Sequence, residues 1–533
     1  MHPAKQSKTK EVTCDVLIVG HGPVGATMAC LLGQYGVSTL IVDKAADILN
    51  MPRAIALDNE ALRILQATGL TEDAFPKHPI FEVRMQSPFA GLFAKANTTG
   101  AIDCHPKLIT FYQPELELAL RQRHRVFPSV QEMANTDFLG FKEFDGGICA
   151  ELLGHAGPVK VNAKYLLGAD GASSRVRELI DLDFKGQTYA EDWLIVDVNQ
   201  RDNQNFHHVE FTCSPDLPSP HMPAPGGRER WEFMLKPGQS REEALDDRYI
   251  RQLLEPWVGQ EPVNIERKAV YRFHARCSKS FQRGRVFLVG DAAHITPPFV
   301  GQGLVAGLRD AFNLSWKISA NLRGVAGLGA LKSYDMERRP HAKRMINLAK
   351  FMGQMVMPPS RIRAMVVHNA MRSVRVIPKM RAFFEELEIK PKNHFQRGLF
   401  DITSTSRQDG FQVGATLPQG LVRNSNSEIR FSDDELGVGF GVIGVGCDIH
   451  DVVAPNDLYA LHGFDCRLIS IQARTSKKPS AKHLLEDMDN TFVSRTGNAP
   501  LVLMVRPDRV VMGKATLKDV GPMLKRCIHQ LAT

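Results

Sequence analysis

Residues 14–43, CDVLIVGHGPVGATMACLLGQYGVSTLIVD, decide the fold. Val16 to Val19 is a short, wholly apolar run of the kind that a parallel strand covered on both faces needs. It ends in Gly20-His21-Gly22-Pro23-Val24-Gly25, a G-x-G-x-x-G. Ala26 to Tyr35 then carry helical spacing, Gly36 stops the helix, and Ser38 to Val42 read as a second strand ending in Asp43. The unit is a complete βαβ. In such a unit Gly20 makes the tight turn, Gly22 lets the backbone approach a pyrophosphate, and Gly25 permits close packing of helix on strand. The helix N-terminus that follows Pro23 and Val24 offers N–H groups to the phosphates. Asp43, with Lys44 beside it, is placed to accept hydrogen bonds from ribose hydroxyls. NAD, NADP and FAD all use this motif, so the dinucleotide stays open at this point. Met51-Pro52-Arg53-Ala54 follows, and Arg53 reads either as a surface arginine or as a cation beside the cofactor.

Two further glycine signals narrow the choice. In YLLGADGASSRVRE, residues 165–178, an apolar run ends in Gly168-Ala169-Asp170-Gly171. This is either a plain strand-to-helix turn with Asp170 as a cap or a second cofactor contact. In VFLVGDAAHITPPFVGQGLVAGLRDAFNLSWKI, residues 286–318, the run ends in Gly290-Asp291, at a strand end where ligands gather in α/β sheets. After the Pro297-Pro298 bend, Gly301-Gln302-Gly303 leads into a helix expected from about Leu304 to Leu322. Its apolar residues Leu304, Leu308, Ala311, Leu314 and Ile318 follow the 3.6 period. A glycine-rich helix start presents N–H donors to something anionic. His294, taken alone, reads as a structural histidine. Together the three signals form an FAD pattern, because a nicotinamide dehydrogenase needs no second clamp so far downstream.

The bulk properties agree with an enzyme of this kind. The chain has 533 residues, enough for two or three domains, and is 43% apolar and 23% charged. Its net charge of +8 comes from Lys and Arg scattered among acidic residues, which fits an anionic cofactor and substrate rather than nucleic acid. No apolar run is long enough to span a bilayer, and the Lys-rich start MHPAKQSKTKE lacks the apolar core of a signal peptide. The nine cysteines are dispersed with no C-x-x-C pair, which predicts reduced thiols in a cytoplasmic protein and no metal site.

GHGPVG…VD, MPRAIALDNEALRILQATGL, LLGADGASSRVR and the stretch from GDAAH to NLSWKI resemble the single-component FAD-dependent aromatic hydroxylases. This superfamily includes the para-hydroxybenzoate and phenol hydroxylases. FYQPELELAL, DWLIVDV, RERWEFMLKPG, YDMERRPHAKRMINLAK and LVLMVRPDRVV bring the chain nearest to the 3-(3-hydroxyphenyl)propionate and 3-hydroxycinnamate hydroxylases. The resemblance implies that Gly20, Gly22 and Gly25 hold the pyrophosphate and Asp43 the adenosine ribose. It implies that Arg53 and Gln113 approach the cofactor, and that Gly290 and Asp291 meet its ribityl or pyrophosphate region. Pro298 would lie near the reactive flavin face, with the backbone of Gly301, Gly303, Leu304 and Val305 around the ring, while Asp170 and Gly171 would serve both FAD and NAD(P)H. Two positions depart from the pattern: Asp43 replaces the usual Glu, and Val305 stands where the family commonly reads Asn.

The chemistry implied is reduction of the flavin by NADH or NADPH, addition of O2 to give a 4a-hydroperoxide, and attack on a phenolic ring ortho to its hydroxyl, in aromatic catabolism. Such a site must be dry and needs a donor or base that favours the phenolate. Candidates without a motif are Tyr271, His274 and Arg276 in VYRFHAR, then Arg230 and Trp231. The fold expected is α/β. A Rossmann-like FAD-binding domain takes in 12–78, 106–190 and 276–355, and an antiparallel-sheet substrate domain takes in 79–105 and 191–275. A helical linker or homodimer surface spans 356–409, and a thioredoxin-like domain spans 410–533. In the last, GFGVIGVGCDIH and PLVLMVRPDRVVMG read as strands, DLYALHG and HLLEDMDN as helical, and Cys447 as redox-inactive for want of a partner. Other readings are hydroxylation of a different phenol or polyketide, or an FAD oxidase, epoxidase or halogenase, although the W-x-W-x-I-P signature of halogenases is missing.

Overall fold

Three large sheets, with two small ones, divide the work of the chain in the computed structural model, which describes residues 9–49, 53–199, 201, 205–259, 261–385, 389–404, 410–475, 479, 481–497 and 499–533. The first sheet grows from the opening motif. Strand Lys10–Val19 lies parallel to Thr39–Val42 on one side and to Gly157–Gly168 on the other, and Val130–Met133 extends the parallel run. Val16, Leu17 and Ile18 are fully buried, as a strand covered on both faces requires. Gly157–Gly168 changes partner along its length. Its first half pairs antiparallel with Gly147–Gly154, and its last residues run parallel to Val286–Leu288. Thus Gly20, Gly168 and Gly290 lie at or just past the ends of three adjacent strands. The FAD-like pattern scattered through the sequence becomes one edge in space.

Helices cover this sheet. Pro23–Gln34 packs on Gly303–Leu322, which in turn packs on the 29-residue helix Leu328–Val356. Gly25 is where strand, turn and helix close on one another: an added Cβ there would stand 2.0 Å from the Gly20 carbonyl oxygen.

The second sheet has eight strands, in the order His294–Ile295, Asn264–Ser278, Phe184–Asn199, Arg228–Met234, Ser219–Ala224, His208–Thr212, Glu82–Ser87 and Gly91–Asn97. Its pairings are antiparallel except one, His208–Thr212 with Glu82–Ser87, which is parallel. The strand His294–Ile295 belongs to the 286–318 stretch, so the loop after Gly290 is stitched directly into this second sheet. Helices Arg361–Val374 and Pro378–Glu385 lie against Gly91–Asn97. Residues 386–388 and 405–409 of the predicted linker, and Met51 and Pro52, fall outside the described residues.

In the third sheet Gly441–Val445 is parallel to Arg467–Ala473 and antiparallel to Leu501–Val505, which pairs with Val511–Thr516. Helix Val520–Ala532 packs on Val511–Thr516, giving the expected thioredoxin-like arrangement. HLLEDMDN is not helical: Leu484–Asp487 is a strand parallel to Arg467–Ala473. Its acidic, helix-favouring composition is overridden by pairing, with Leu485 and Asp487 buried against the sheet. All nine cysteines are free, and burial raises the Cys447 thiol pKa. The core of this region is continuous with Trp316 and Ala320 of the helix Gly303–Leu322. Arg506 reaches across to Glu337 (2.7 Å), which also holds Lys317, all three fully buried.

Candidate active site

One continuous cavity of ≈1670 Å³ runs from the glycine turn at Gly20–Val24, past Asp43, Arg53 and Gln113, to the inner face of the second sheet. At the first end, Gly20 adopts φ +105°, where a Cβ would lie 2.3 Å from the Ala169 carbonyl oxygen. Gly22 differs: a Cβ there meets nothing within 4 Å, so this position is bare toward the cavity rather than toward the protein. It is the N-cap of helix Pro23–Gln34, and no side chain caps that helix. The uncapped N–H groups and the open face at Gly22 suit a pyrophosphate. The Asp43 carboxylate is held in place by the N–H groups of His21 (2.7 Å) and Ala45 (2.8 Å).

His21 is itself fixed from below. Its Nε2 lies 2.8 Å from Nε2 of His124, both rings are buried, and Arg121 donates to the His21 carbonyl. Burial and neighbouring arginines push the His21 pKa down to about 3 and that of His124 to about 4. The pair is a neutral hydrogen bond at physiological pH, one ring donating to the other. Gln113 is also structural in part, since its Oε1 accepts from the N–H groups of Arg53 (2.9 Å) and Ala54 (2.8 Å).

Asp170 is not the helix cap, which is Ser174; it braces the turn and also lines the cavity. It accepts from Ser174 Oγ (2.5 Å) and the Val176 N–H (3.1 Å), while Gly171 (φ +78°) lines the cavity. Asp291 behaves otherwise. Among the described residues its carboxylate makes no hydrogen bond; it lines the cavity, and burial raises its pKa against the opposing charges of His294 and Arg53. A carboxylate left without a partner at a strand end is a place for a hydroxylated ligand.

The loop that follows rests on groups the sequence did not single out. His294 Nε2 bonds Asp310 Oδ2 (2.7 Å), which also takes the Gly290 N–H (3.1 Å), and Arg338 Nε donates to Asp310 Oδ1 (2.9 Å). Asp310 and Arg338 are fully buried. Burial pushes the Asp310 carboxyl up, but His294 and Arg338 together hold it below the usual carboxylate range. His294 is therefore a strut, and the GLRD and ERR segments carried the signal for its partners. Gln302 bonds Asp58 (2.9 Å) and Arg309 (3.0 Å), which anchors the turn before Gly303. Val305 is 0% exposed and packs with Leu57, Ala61 and Leu308, whereas Leu304 lines the cavity. An Asn side chain at 305 would enter that apolar cluster, and Val305 itself is not among the residues that line the cavity.

At the other end the sheet forms a roof. Alternation along Arg228–Met234 sends Trp231 and Phe233 to the outer core with helix Asp247–Val258, and Trp231 stacks on His221 at 4.3 Å. Trp231 is thus removed from the substrate side. Arg230 and Glu232 line the cavity, with Met85, Ile195, Phe211, Met222 and Phe273 of neighbouring strands. Phe299, next to Pro298, meets Trp193 and Phe273 edge-on at 5.9 Å. Arg230 clasps Asp197 with two bonds (2.6 and 3.0 Å), and its Nη1 donates to the Arg53 carbonyl (2.9 Å). Arg267 donates to Asp197 (2.9 Å) and to Tyr271 Oη (2.7 Å). His274 instead shares Thr188 Oγ1 with Arg276, and its pKa is lowered by burial and by Arg276 and Arg272. Pro298, Tyr271 and His274 line the same cavity; Arg276 does not.

The residues present fit FAD: an uncapped helix bare at Gly22, an oriented Asp43, an unpartnered Asp291 and a cavity that continues beyond the Gly301–Leu304 loop. A family model described as an FAD binding domain matches residues 13–349, and one described as the HcaD C-terminal domain matches 414–530. The chain is 33% identical to a 3-(3-hydroxy-phenyl)propionate/3-hydroxycinnamic acid hydroxylase of Burkholderia cenocepacia (strain HI2424), over 93% of each chain. It is 31% identical to the protein of that name from Escherichia coli (strain K12), over 98% of this chain and 96% of the relative. Among solved structures, the flavin-dependent monooxygenase PieE in complex with FAD and substrate superposes with a TM-score of 0.80 at 21% identity, covering 98% of this chain and all of that one. Aklavinone-11 hydroxylase with FAD and aklavinone gives 0.76 at 22% identity, over 97% and 99% of the chains. The chain belongs to the family of FAD-dependent aromatic hydroxylases that contains the 3-(3-hydroxyphenyl)propionate/3-hydroxycinnamic acid hydroxylases. Among the described residues no helix is long and apolar enough to cross a membrane.

Proposed function

We propose that the protein uses NADH or NADPH and O2 to hydroxylate a phenolic acid of the 3-(3-hydroxyphenyl)propionate or 3-hydroxycinnamate type, ortho to the existing hydroxyl. The observation that carries this reading is the single cavity joining the bare glycine turn to an apolar, Met- and Phe-lined chamber under the second sheet. The names of the relatives support the substrate class. On this reading Gly20, Gly22 and Gly25 hold the pyrophosphate, Asp43 the ribose and Asp291 the ribityl hydroxyls. Arg53, Gln113, Asp170, Gly171 and the backbone from Gly301 to Val305 complete the cofactor site. We assign 12–78, 106–190 and 276–355 to the FAD-binding domain, 79–105 and 191–275 to the substrate domain, 356–409 to the connection and 410–533 to the thioredoxin-like domain.

The bound flavin supplies the redox chemistry, by which two electrons from NAD(P)H and one O2 place one oxygen atom on the ring and release the other as water. The chain's own contribution is position and dryness. Met85, Met222, Phe211 and Phe273 exclude water from the ring. Arg267 donates to Tyr271 Oη, so the Tyr271 hydroxyl keeps its own proton to donate to a substrate oxygen. The test is a panel of phenolic acids and neutral phenols, scored for accelerated NADH and NADPH oxidation and for product labelled from isotopic O2. Phenolic acids should accelerate oxidation and yield the ortho-diol. If no phenol accelerates it, the hydroxylase reading fails, and preference for neutral or polycyclic phenols would remove the phenylpropionate assignment.

A further inference from the structure

A carboxylate in the roof of the chamber is left over once every pairing there is made. Glu232 sits in mid-strand between Arg230 and Met234, opposite Ile195, on the face that lines the cavity. It is 8% exposed, and among the described residues its carboxyl makes no hydrogen bond. The charged and titratable groups facing it are all engaged with one another. Arg230 is on its own strand, Asp197 on Phe184–Asn199, and Arg267 and Tyr271 on Asn264–Ser278; Arg230 and Arg267 both bind Asp197, and Arg267 also holds Tyr271. Ser219–Ala224, on the other side, sends only Pro220 and Met222 to the cavity. Burying a carboxyl without a partner is costly, and it is tolerated where a ligand brings the missing donor.

We propose that Glu232 is a catalytic residue that accepts the phenolic proton of the substrate as the ring is oxidised. The inference rests on the hydroxylase reading above. When an ortho carbon forms its bond to the oxygen atom delivered from O2, the phenolic oxygen takes on carbonyl character. Its O–H bond breaks, that electron pair flows into the ring, and Glu232 receives the proton. The proton is returned to the same oxygen when the ring carbon loses its hydrogen and the ring regains aromaticity. The electrons come from NAD(P)H, and the second oxygen atom leaves as water. Burial raises the proton affinity of Glu232, opposed by Arg230 and Arg267 and assisted by Asp197. That brings the carboxyl nearer in basicity to the phenol than an exposed glutamate would be, which favours proton transfer.

The experiment compares the wild-type holoenzyme with Glu232→Gln and Glu232→Asp across pH. Its substrates are 3-(3-hydroxyphenyl)propionate and a ring-fluorinated analogue whose phenol ionises at lower pH. Flavin content, substrate affinity from flavin absorbance, and product formed per NAD(P)H are read together. Glu232→Gln should cut product formation by about 10²-fold and divert NAD(P)H and O2 to hydrogen peroxide. In the wild type, product formation should fall as pH drops through the raised pKa of Glu232, and this limb should vanish in Glu232→Gln. The fluorinated analogue should narrow the gap between the two, and Glu232→Asp should restore part of the rate. Equal product per NAD(P)H and equal pH profiles in wild type and Glu232→Gln would overturn the proposal, as would a gap of the same size for both substrates. If the wild type hydroxylates neither substrate, the hydroxylase reading itself falls.

Discussion

The two ends of the cavity are made in opposite ways. The glycine-turn end is built from backbone: Gly20, Gly22, Gly25, Gly290 and Gly301 shape it, and the side chains nearby mostly brace the chain. The roof is built from side chains that alternate along strands from distant parts of the sequence, so that Arg230, Glu232, Tyr271 and Met85 meet only in the folded sheet. Backbone binding tolerates almost no added atom, whereas a roof of side chains can be retuned residue by residue. Damage to the first end should therefore remove the flavin, and damage to the second should spare the flavin and alter the product.

The largest expected effect breaks the brace under the loop. Asp310→Asn leaves Arg338 buried without its counter-charge and should cost about 3–5 kcal/mol, seen as a lower thermal midpoint and poor flavin retention. Gly25→Ala forces the Gly20 carbonyl to move and should cost about 1–3 kcal/mol, with the purified protein nearly free of flavin. Gly22→Ala sharpens the contrast, because its Cβ meets no protein atom. The apoprotein should melt as the wild type does while the flavin Kd rises about tenfold, or ~1.4 kcal/mol. At the roof, Tyr271→Phe should keep full flavin content and slow hydroxylation by the worth of one neutral hydrogen bond, about 0.5–1.5 kcal/mol. A loss of flavin in Tyr271→Phe, or its retention in Gly25→Ala, would break the comparison.

Acid gives the gentlest probe. The folded-state pKa values of His21 and His124 lie below the ordinary histidine value, so between about pH 6.5 and 4 the unfolded chain binds more protons than the folded one. Stability contributed by this neutral pair is present above pH 6.5 and declines as the pH falls through that window. Melting curves at pH 7.5 and 5.5 should show the decline, and His124→Gln should weaken the dependence.

Much of this was legible in the chain. Gly20 to Asp43 announced the parallel strands and the dinucleotide turn because each glycine answers to a local backbone demand. The helix expected from about Leu304 is Gly303–Leu322, since a 3.6 period needs no distant partner to be read. The His294 pairing was not legible: Asp310 lies 16 residues away, and Arg338 on another helix. HLLEDMDN misled because its composition favours helix while its place between strands demands extension. Trp231 and Glu232 are neighbours in sequence, yet one is outer core and the other faces the cavity. Only the sheet's pairing register decides which is which.

The sequence by itself determined the opening βαβ unit and the family, because glycines and helix starts act over a few residues. The tertiary structure alone decided the roof, the Asp310 brace and the inward burial of Val305. Those depend on which faces of distant segments are brought together, and no local pattern encodes the partner.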